Sequence, residues 1–164
     1  MGQRRKAREG ALQILYQLEF NAVDPRAAVD AFWKKKRAAA ETREYCRWLV
    51  EGIWARREEI DAAIQSVSEH WRIARMAIVD RNILRLAAFE LIEAGQIAPA
   101  IVINEAIEIA KTYSGPEAGT FVNGILDALK KKIRSETAPG REVKNGRQDE
   151  REGKAKPLFR AKKV

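Results

Sequence analysis

Apolar residues recur at helical spacing along most of the chain, and the clearest stretch runs from Pro99 to Ile133. Two apolar stripes there are separated by Gly115-Pro116, which ends the first pattern because Pro supplies no N–H and restricts the residue before it. The first stripe is Val102, Ala106, Ile109, Ala110 and Tyr113, and the second is Phe121, Val122, Ile125, Leu126, Leu129 and Ile133. This spacing predicts two helices joined by a Gly-Pro turn.

The same period predicts further helices upstream. They cover about Arg4 to Asn21, a short segment opened by Asp24-Pro25, a long segment from Glu41 to Val67, and Met76 to Glu93. The apolar spacing loosens near Arg56 to Glu58, which indicates a break in the long segment. We find no period-two alternation that would indicate strands. The chain is therefore predicted to be all-α, a compact helical domain of six or seven helices.

Two pairs of residues that weaken helices, Asn104-Glu105 and Asn123-Gly124, stand inside the last two predicted helices. Asn and Gly cost several tenths to about 1 kcal/mol each in a helix interior, so their presence suggests a use. The segments that hold them, INEAIEIAK and FVNGILD, closely resemble the signature of the NusB family of bacterial transcription antitermination factors. The resemblance extends to VDRNILRLAAFEL, from Val79 to Leu91, and to RRKAREGALQILYQLEF, from Arg4 to Phe20.

This resemblance spans roughly Arg4 to Ile133, with four motifs in the order that the family has them. It implies an all-helical, NusB-like domain divided into two small bundles, before and after about residue 72. It also implies binding of the boxA element of nascent ribosomal RNA together with the ribosomal protein NusE, as part of the transcription elongation complex. Such an adaptor needs no cofactor. The sequence leaves open whether the chain also forms a homodimer.

Charge divides the chain into a neutral part and a basic part. Residues 130–164 hold thirteen Lys or Arg and five Asp or Glu, which is the whole net charge of +8. From Ser135 the chain is rich in charge, Gly and Pro, and it has too few apolar residues to offset the entropy of ordering. We therefore predict a NusB-like domain over 1–134 and a basic, disordered tail over 135–164.

Composition gives little support for an enzyme or a membrane protein. A single cysteine, Cys46, excludes an internal disulfide and fits a reducing cytosol, and no apolar run approaches the roughly 20 residues of a membrane span. His70, next to Trp71, is expected to be a surface or helix-end residue. No Gly-rich phosphate loop and no zinc-type spacing is present, so we expect a cytoplasmic protein without metal or cofactor.

The basic start of the first helix is the main RNA candidate. Arg4, Arg5, Lys6 and Arg8 offer phosphate contacts, and Tyr16 offers a ring on which a base can stack. Cations at a helix N-terminus oppose the helix dipole, which points to some other use. The alternative is that they only keep the helix soluble. The family resemblance favours RNA, because the arginine-rich start of NusB-like proteins contacts boxA.

Phe121 and Asn123 are further RNA candidates near the last turn. Phe121 follows Gly119-Thr120, so we expect it at a helix start where backbone N–H groups can hold phosphate, although an apolar residue there is as often core. Asn123 could bond either a base edge or a neighbouring helix. Glu117 lies in the same loop and is expected to lower RNA affinity rather than to bind phosphate.

A partner surface and a structural link are also predicted. Asp80 and Glu90 are ten residues apart on one predicted helix, hence on roughly the same side, and would suit a basic partner such as NusE. The alternative is that they pair with Arg81 and Arg85 on their own helix. Asn104 and Glu105 are interpreted as structural, with Asn104 linked to Asn123 between the last two helices.

These observations favour a non-enzymatic RNA-binding adaptor over two rivals. One rival is the helical domain of an RNA cytosine methyltransferase, which is disfavoured because no Rossmann-type segment follows. The other is a helical protein-interaction module whose basic ends are only solubilising. Salt dependence separates this second rival from the adaptor, because phosphate contacts make RNA affinity fall steeply with ionic strength.

Overall fold

The computed structural model describes residues 2–137, and these residues form seven α-helices without a strand. The helices are α1 (Gln3–Leu18), α2 (Pro25–Lys34), α3 (Ala40–Ala55), α4 (Arg57–Gln65), α5 (Ile78–Glu93), α6 (Pro99–Tyr113) and α7 (Pro116–Thr137), with a 3₁₀ turn at Ile73–Arg75. The all-α prediction is confirmed. Helix α7 passes the predicted domain limit at residue 134, and the predicted tail from residue 138 onward lies outside the described residues.

Local chemistry sets several helix ends. Asp24 caps α2, because its Oδ2 accepts a hydrogen bond from the Ala27 N–H at 3.1 Å, and Pro25 occupies the first turn. The predicted break in the long segment is confirmed at Arg56, whose φ of −117° and ψ of 25° separate α3 from α4. Gly115 has a φ of 122°, which only Gly adopts readily, and Pro116 then starts α7.

Helix α5 is the centre of the fold. Its residues from Asn82 to Glu90 are all buried, since α1, α3, α4, α6 and α7 all pack against it. A helix that is covered on every side has no polar face. This explains the nearly continuous apolar run within the motif from Val79 to Leu91. The polar residues that remain in the run are held by partners on other helices, as described below.

The two-bundle division has a different boundary from the predicted one. Helices α1, α2 and α3 pack together, and α5, α6 and α7 form the second group. Helix α4 precedes residue 72 but packs mainly against α5, so the division falls at Arg56. One continuous core joins the two groups. No helix in residues 2–137 is long and apolar enough to cross a membrane.

A close contact between α3 and α5 depends on glycine. A Cβ atom built on Gly52 would overlap the ring of Phe89, which is itself 3% exposed. Gly52 therefore lets the two helices approach closely enough to bury that ring. The Phe89 ring also packs against Trp48 of α3, with 4.8 Å between the ring centroids.

Candidate nucleic-acid interface

The four basic residues at the start of α1 point in different directions, because successive residues turn by about 100° around a helix. The guanidinium of Arg4 lies 4.0 Å from the ring centroid of Tyr45, a cation–π contact with α3. Arg5 turns towards α6 and Lys6 turns towards the α2–α3 loop, where its Nζ donates to the Arg37 carbonyl at 2.8 Å. Arg8 turns inward. The predicted cluster is thus divided among several neighbours.

Arg8 and Glu90 form a buried ion pair. The Arg8 guanidinium donates to both Glu90 oxygens, at 2.6 and 2.8 Å, and the Tyr45 hydroxyl donates to the same carboxylate at 2.9 Å. Only 5% of Arg8 and 1% of Glu90 is exposed. The structure therefore contradicts two predictions, an RNA contact for Arg8 and a partner contact for Glu90, since each satisfies the other in the interior.

Burial and charge around this pair shift the pKa values of Tyr45 and Arg8. Burial raises the pKa of Tyr45 to about 12, and the negative charge of Glu90 adds to that effect. Burial alone would lower the pKa of Arg8, but the hydrogen bonds and charge of Glu90 outweigh it and raise that pKa. Tyr45 and Arg8 therefore keep their protons throughout the ordinary pH range. The pair works as a fixed link between α1 and α5.

Glu105 is structural, as predicted, but its partner is on α1. Arg5 donates to its two carboxylate oxygens at 2.7 and 2.8 Å, and the hydrogen bonds from Arg5 lower the pKa of Glu105. Asn104 and Asn123 are both exposed, and no hydrogen bond joins them within the described part of the chain. The predicted link between α6 and α7 is wrong, because the polar link runs from α6 to α1.

A groove of about 530 Å³ lies beside the Arg5–Glu105 pair, between the starts of α1 and α6. Its lining includes Arg4 and Arg5 on one side and Ile97 and Ile101 on the other. Ile101 is 53% exposed, and the Arg5 side chain keeps 34% of its surface accessible. A groove with guanidinium groups on one side and isoleucine side chains on the other suits a nucleotide, because it can hold a phosphate and cover a base or sugar.

Tyr16 lies farther along α1, about 16 Å from Arg5 at the rise of 1.5 Å per residue. It is 42% exposed and packs at 5.2 Å, centroid to centroid, against Phe20, which is 61% exposed. Tyr113 at the end of α6 lies nearby, since its hydroxyl accepts a bond from Gln13 at 3.4 Å. The ring predicted to stack on a base is thus accessible.

Phe121 does not lie at a helix start. Helix α7 begins at Pro116, which places Phe121 in the second turn, so the predicted phosphate contact through a free N–H at Phe121 is wrong. The half-buried Phe121 ring instead packs edge-on against Trp71, at 5.6 Å between centroids. Trp71 is 60% exposed. Sequence reasoning missed it, although an exposed Trp in a connector is an unusual feature.

Asp80 faces the same cavity as Phe121 and Trp71, a cavity of about 340 Å³ that also includes Arg75 and Glu117. Its Oδ1 is buried and has no hydrogen-bond partner within residues 2–137. The alternative that Asp80 pairs with Arg81 or Arg85 is contradicted, since both arginines bind other acids. Asp80 as a whole is half-buried, lines this cavity and has no ion-pair partner within residues 2–137, so a basic group that enters the cavity can pair with its carboxylate.

Arg81 and Arg85 belong to a second network of ion pairs, which the sequence did not reveal. Both bind Glu19 at the end of α1, and Arg85 also donates to the two oxygens of Asp61 at 2.7 and 2.8 Å. Burial would raise the pKa of Glu19, but the two arginines outweigh it and lower that pKa. This network ties the far end of α1 to α4 and α5.

The remaining candidates for chemistry offer no reactive group. Cys46 is buried, and that burial raises its pKa to about 11, so the thiol stays protonated. His70 is exposed, in agreement with the prediction. Across residues 2–137, no three His, Cys, Asp or Glu side chains are grouped to hold a metal ion. The site is defined by cations, exposed rings and the half-buried carboxylate of Asp80.

Fold and site together define a small all-α protein with a cationic, aromatic-lined face. The NusB family model matches residues 5–131, and this chain belongs to the NusB family. The transcription antitermination protein NusB of Syntrophus aciditrophicus is 45% identical over 133 residues, which cover 81% of this chain and 83% of that protein. The membership confirms the resemblance that the four sequence motifs carry.

Solved structures agree with this assignment. A structure of T. maritima NusB superposes with a TM-score of 0.74 at 36% identity, covering 79% of this chain and 91% of that one. A crystal structure of antitermination factors NusB and NusE in complex with dsRNA superposes with a TM-score of 0.73 at 32% identity. The superposition covers 80% of this chain and 98% of the matched chain.

Proposed function

We propose that this protein is a non-enzymatic antitermination adaptor, which binds boxA-type RNA of nascent ribosomal transcripts together with NusE. Family membership supports the role, since the relatives are antitermination proteins and one of the similar structures contains NusB, NusE and RNA. The single observation on this chain that carries the proposal is the α1 face, where Arg5, the groove beside it and Tyr16 lie along one helix.

This face combines the two kinds of contact that RNA readers use. Arg4, Arg5 and Lys6 supply positive charge for phosphates, and Tyr16 supplies an exposed ring for stacking. Phe121, next to Trp71, supplies a second aromatic site, and Asn123 is exposed on the same helix. Arg8 acts indirectly, since its bond to Glu90 fixes α1 on α5.

Asp80 is the proposed contact for NusE. Its half-buried side chain lies at the start of α5 in the cavity beside the Trp71–Phe121 rings, so a basic partner bound there would lie next to the aromatic RNA site. Two proteins that each hold part of one RNA act as linked binding modules, which raises affinity without any new contact within either protein. The adaptor would act in the cytoplasm on the elongating polymerase.

Fluorescence anisotropy tests the proposal directly. A boxA RNA and a scrambled RNA of equal length are titrated with the full chain, with and without NusE, at two salt concentrations. We expect NusE to tighten binding of boxA more than of the scrambled RNA, and we expect both affinities to fall as salt rises. Equal, weak binding of the two RNAs regardless of NusE would refute the proposal and leave a fold whose function has changed.

A further inference from the structure

A second strongly basic surface lies on the other side of α1, at the end of α2 and the start of α3. We name it the α2–α3 patch, and it comprises Lys34, Lys35, Lys36, Arg37, Arg43 and Arg47. Residues 34–47 hold six Lys or Arg against two Glu, a net charge of +4. The rest of residues 2–137 holds sixteen basic and seventeen acidic residues, so the excess positive charge of the described fold is concentrated here.

Most of this charge is free of acidic partners. Arg47 binds Asp30, but for the other five patch residues no carboxylate of residues 2–137 lies within 4.0 Å. All five are exposed. Lys36 packs over the Phe32 ring at 3.8 Å. By contrast, the two arginines on α5, Arg81 and Arg85, are both paired with carboxylates.

Helix stability explains only part of the patch. Lys34 is the last residue of α2, where a cation interacts favourably with the helix dipole, but that effect falls off within the last turn. Lys35 is the C-cap, Lys36 and Arg37 lie beyond it, and Arg43 belongs to the next helix. Adjacent like charges repel and destabilise a fold unless a counter-charge binds them. The patch is therefore suited to an anionic ligand.

The patch is continuous with the face proposed for RNA. Lys6 Nζ donates to the carbonyl of Arg37 at 2.8 Å, so the α2–α3 loop touches the basic start of α1. A groove of about 470 Å³ between α2 and α3 extends the surface and is lined by Lys34, Arg43 and Arg47, with Asp30 and Glu44 as its acidic members. An RNA held at α1 and longer than that face can thus reach the patch.

An RNA backbone fits this surface better than an acidic protein. Protein interfaces have an apolar centre, often aromatic, within a polar rim. Of the large apolar residues exposed in the described chain, Val23 and Trp48 flank residues 24–47 and none lies within them. A surface of cations without an exposed apolar centre binds through charge alone, which is how proteins hold phosphates irrespective of base sequence.

We propose that the α2–α3 patch binds the phosphates of RNA that flanks the specific element, without reading its bases. The inference rests on the proposed function for the segment held at α1, and it adds a second, sequence-independent contact. Longer RNA therefore binds more tightly than the element alone. The gain arises from the patch and disappears at high salt.

The test uses the full chain and three RNAs: the element alone, the element with about 15 flanking nucleotides on each side, and a scrambled RNA of the longer length. The patch variant is Lys34→Ala, Lys35→Ala, Arg37→Ala and Arg43→Ala combined, which keeps Lys36 on its ring. A second variant keeps the charge by exchanging Lys for Arg and Arg for Lys at the same positions. A control variant replaces Lys130, Lys131, Lys132 and Arg134 on α7 with Ala, for an equal loss of charge.

For the patch variant we expect affinity for both long RNAs to fall about tenfold at low salt, with a salt slope lower by about 0.7 for each phosphate that the variant no longer binds. Affinity for the element alone should stay within about twofold, and the charge-keeping variant should bind as the wild type does. The control variant should retain the advantage of long over short RNA. Circular dichroism and urea unfolding should show that every variant is folded.

Two outcomes would overturn the inference. One is a patch variant that binds the long RNAs as tightly as the wild type, which would assign the patch to some other anion. The other is an equal loss of affinity for short and long RNA, which would make the α2–α3 patch part of the specific site. If the wild type does not distinguish the element from scrambled RNA even when NusE is added, the proposed function fails. A tenfold loss on the scrambled RNA would still support the patch in that case.

Discussion

The guanidinium of Arg8 and the carboxylate of Glu90 are bound to each other in the interior, although 82 residues separate them in sequence. The pair joins α1, which carries the proposed RNA face, to α5, the buried centre of the fold. Tyr45 from α3 donates to the same carboxylate. Three helices are thus fixed at one point, and the orientation of α1 depends on it.

Removing one member of this pair should strongly destabilise the protein. Glu90→Gln leaves the buried Arg8 guanidinium with only the longer contact to Glu105, at 3.7 Å, and breaking a buried ion pair in this way costs about 3–5 kcal/mol. Urea unfolding at neutral pH measures the loss. The double variant Arg8→Met with Glu90→Met should recover much of it, because no charge is then left buried. A Glu90→Gln protein as stable as the wild type would contradict this account of the pair.

The Arg8–Glu90 pair also shows where sequence reasoning stops. Helix positions, the Asp24 cap and the break at Arg56 depend on residues close together in sequence, and the sequence predicts them correctly. Whether Arg8 faces solvent depends on how α1 packs against α5, which no local pattern records. The predicted basic cluster is therefore too large by one residue, and the predicted partner surface loses Glu90 for the same reason.

The aromatic site formed by Trp71 and Phe121 also depends on contacts that the sequence could not predict. Phe121 can be singled out from its motif, but Trp71 meets it only because the connector before α5 folds back onto α7. The sequence predicts Asp80 as a partner contact but does not reveal that Arg81 and Arg85 bind Glu19 and Asp61 instead. The structure thus adds an observation in favour of Asp80, which lines the cavity beside these rings and has no ion-pair partner within residues 2–137.

Two glycines should respond oppositely to alanine. Gly52→Ala places a methyl group against the Phe89 ring and should destabilise the protein by about 1–3 kcal/mol. Gly124→Ala has open space around the new methyl group in the interior of α7, so it should stabilise by up to about 1 kcal/mol. Urea unfolding of both variants measures the difference. Equal effects of the two substitutions would show that the contact between α3 and α5 is less close than described.

The ion pairs of Glu19 predict how stability changes in acid. The folded-state pKa of Glu19 is lowered below its usual value of 4.5, because hydrogen bonds from Arg81 and Arg85 outweigh the effect of burial. Its contribution is therefore fully present above pH 4.5 and is lost as pH falls through the folded-state pKa. Between pH 6 and pH 3 the urea midpoint of the wild type should fall more than that of Glu19→Gln. Parallel curves for the two proteins would remove Glu19 from this role.

We expect Asp80 to contribute to the affinity for NusE and to contribute little to the stability of the fold. Asp80→Asn removes the charge of a carboxylate that has no ion-pair partner within residues 2–137, so the urea midpoint should change little. Affinity for NusE should fall, while affinity for RNA without NusE should stay the same. Calorimetric titration with NusE measures the first effect. As a control, Glu58→Gln removes an exposed charge on α4 and should leave both affinities unchanged.

The most direct test of the adaptor claim compares boxA and scrambled RNA in the presence of NusE, for the wild type and for a variant that combines Tyr16→Ala with Phe121→Ala. Each stacked ring contributes about 1–3 kcal/mol to the binding of a base. We expect the wild type to prefer boxA clearly, and we expect the variant to fold and bind NusE but to lose most of that preference. An undiminished preference in the folded variant would contradict the assignment of these two rings to RNA recognition.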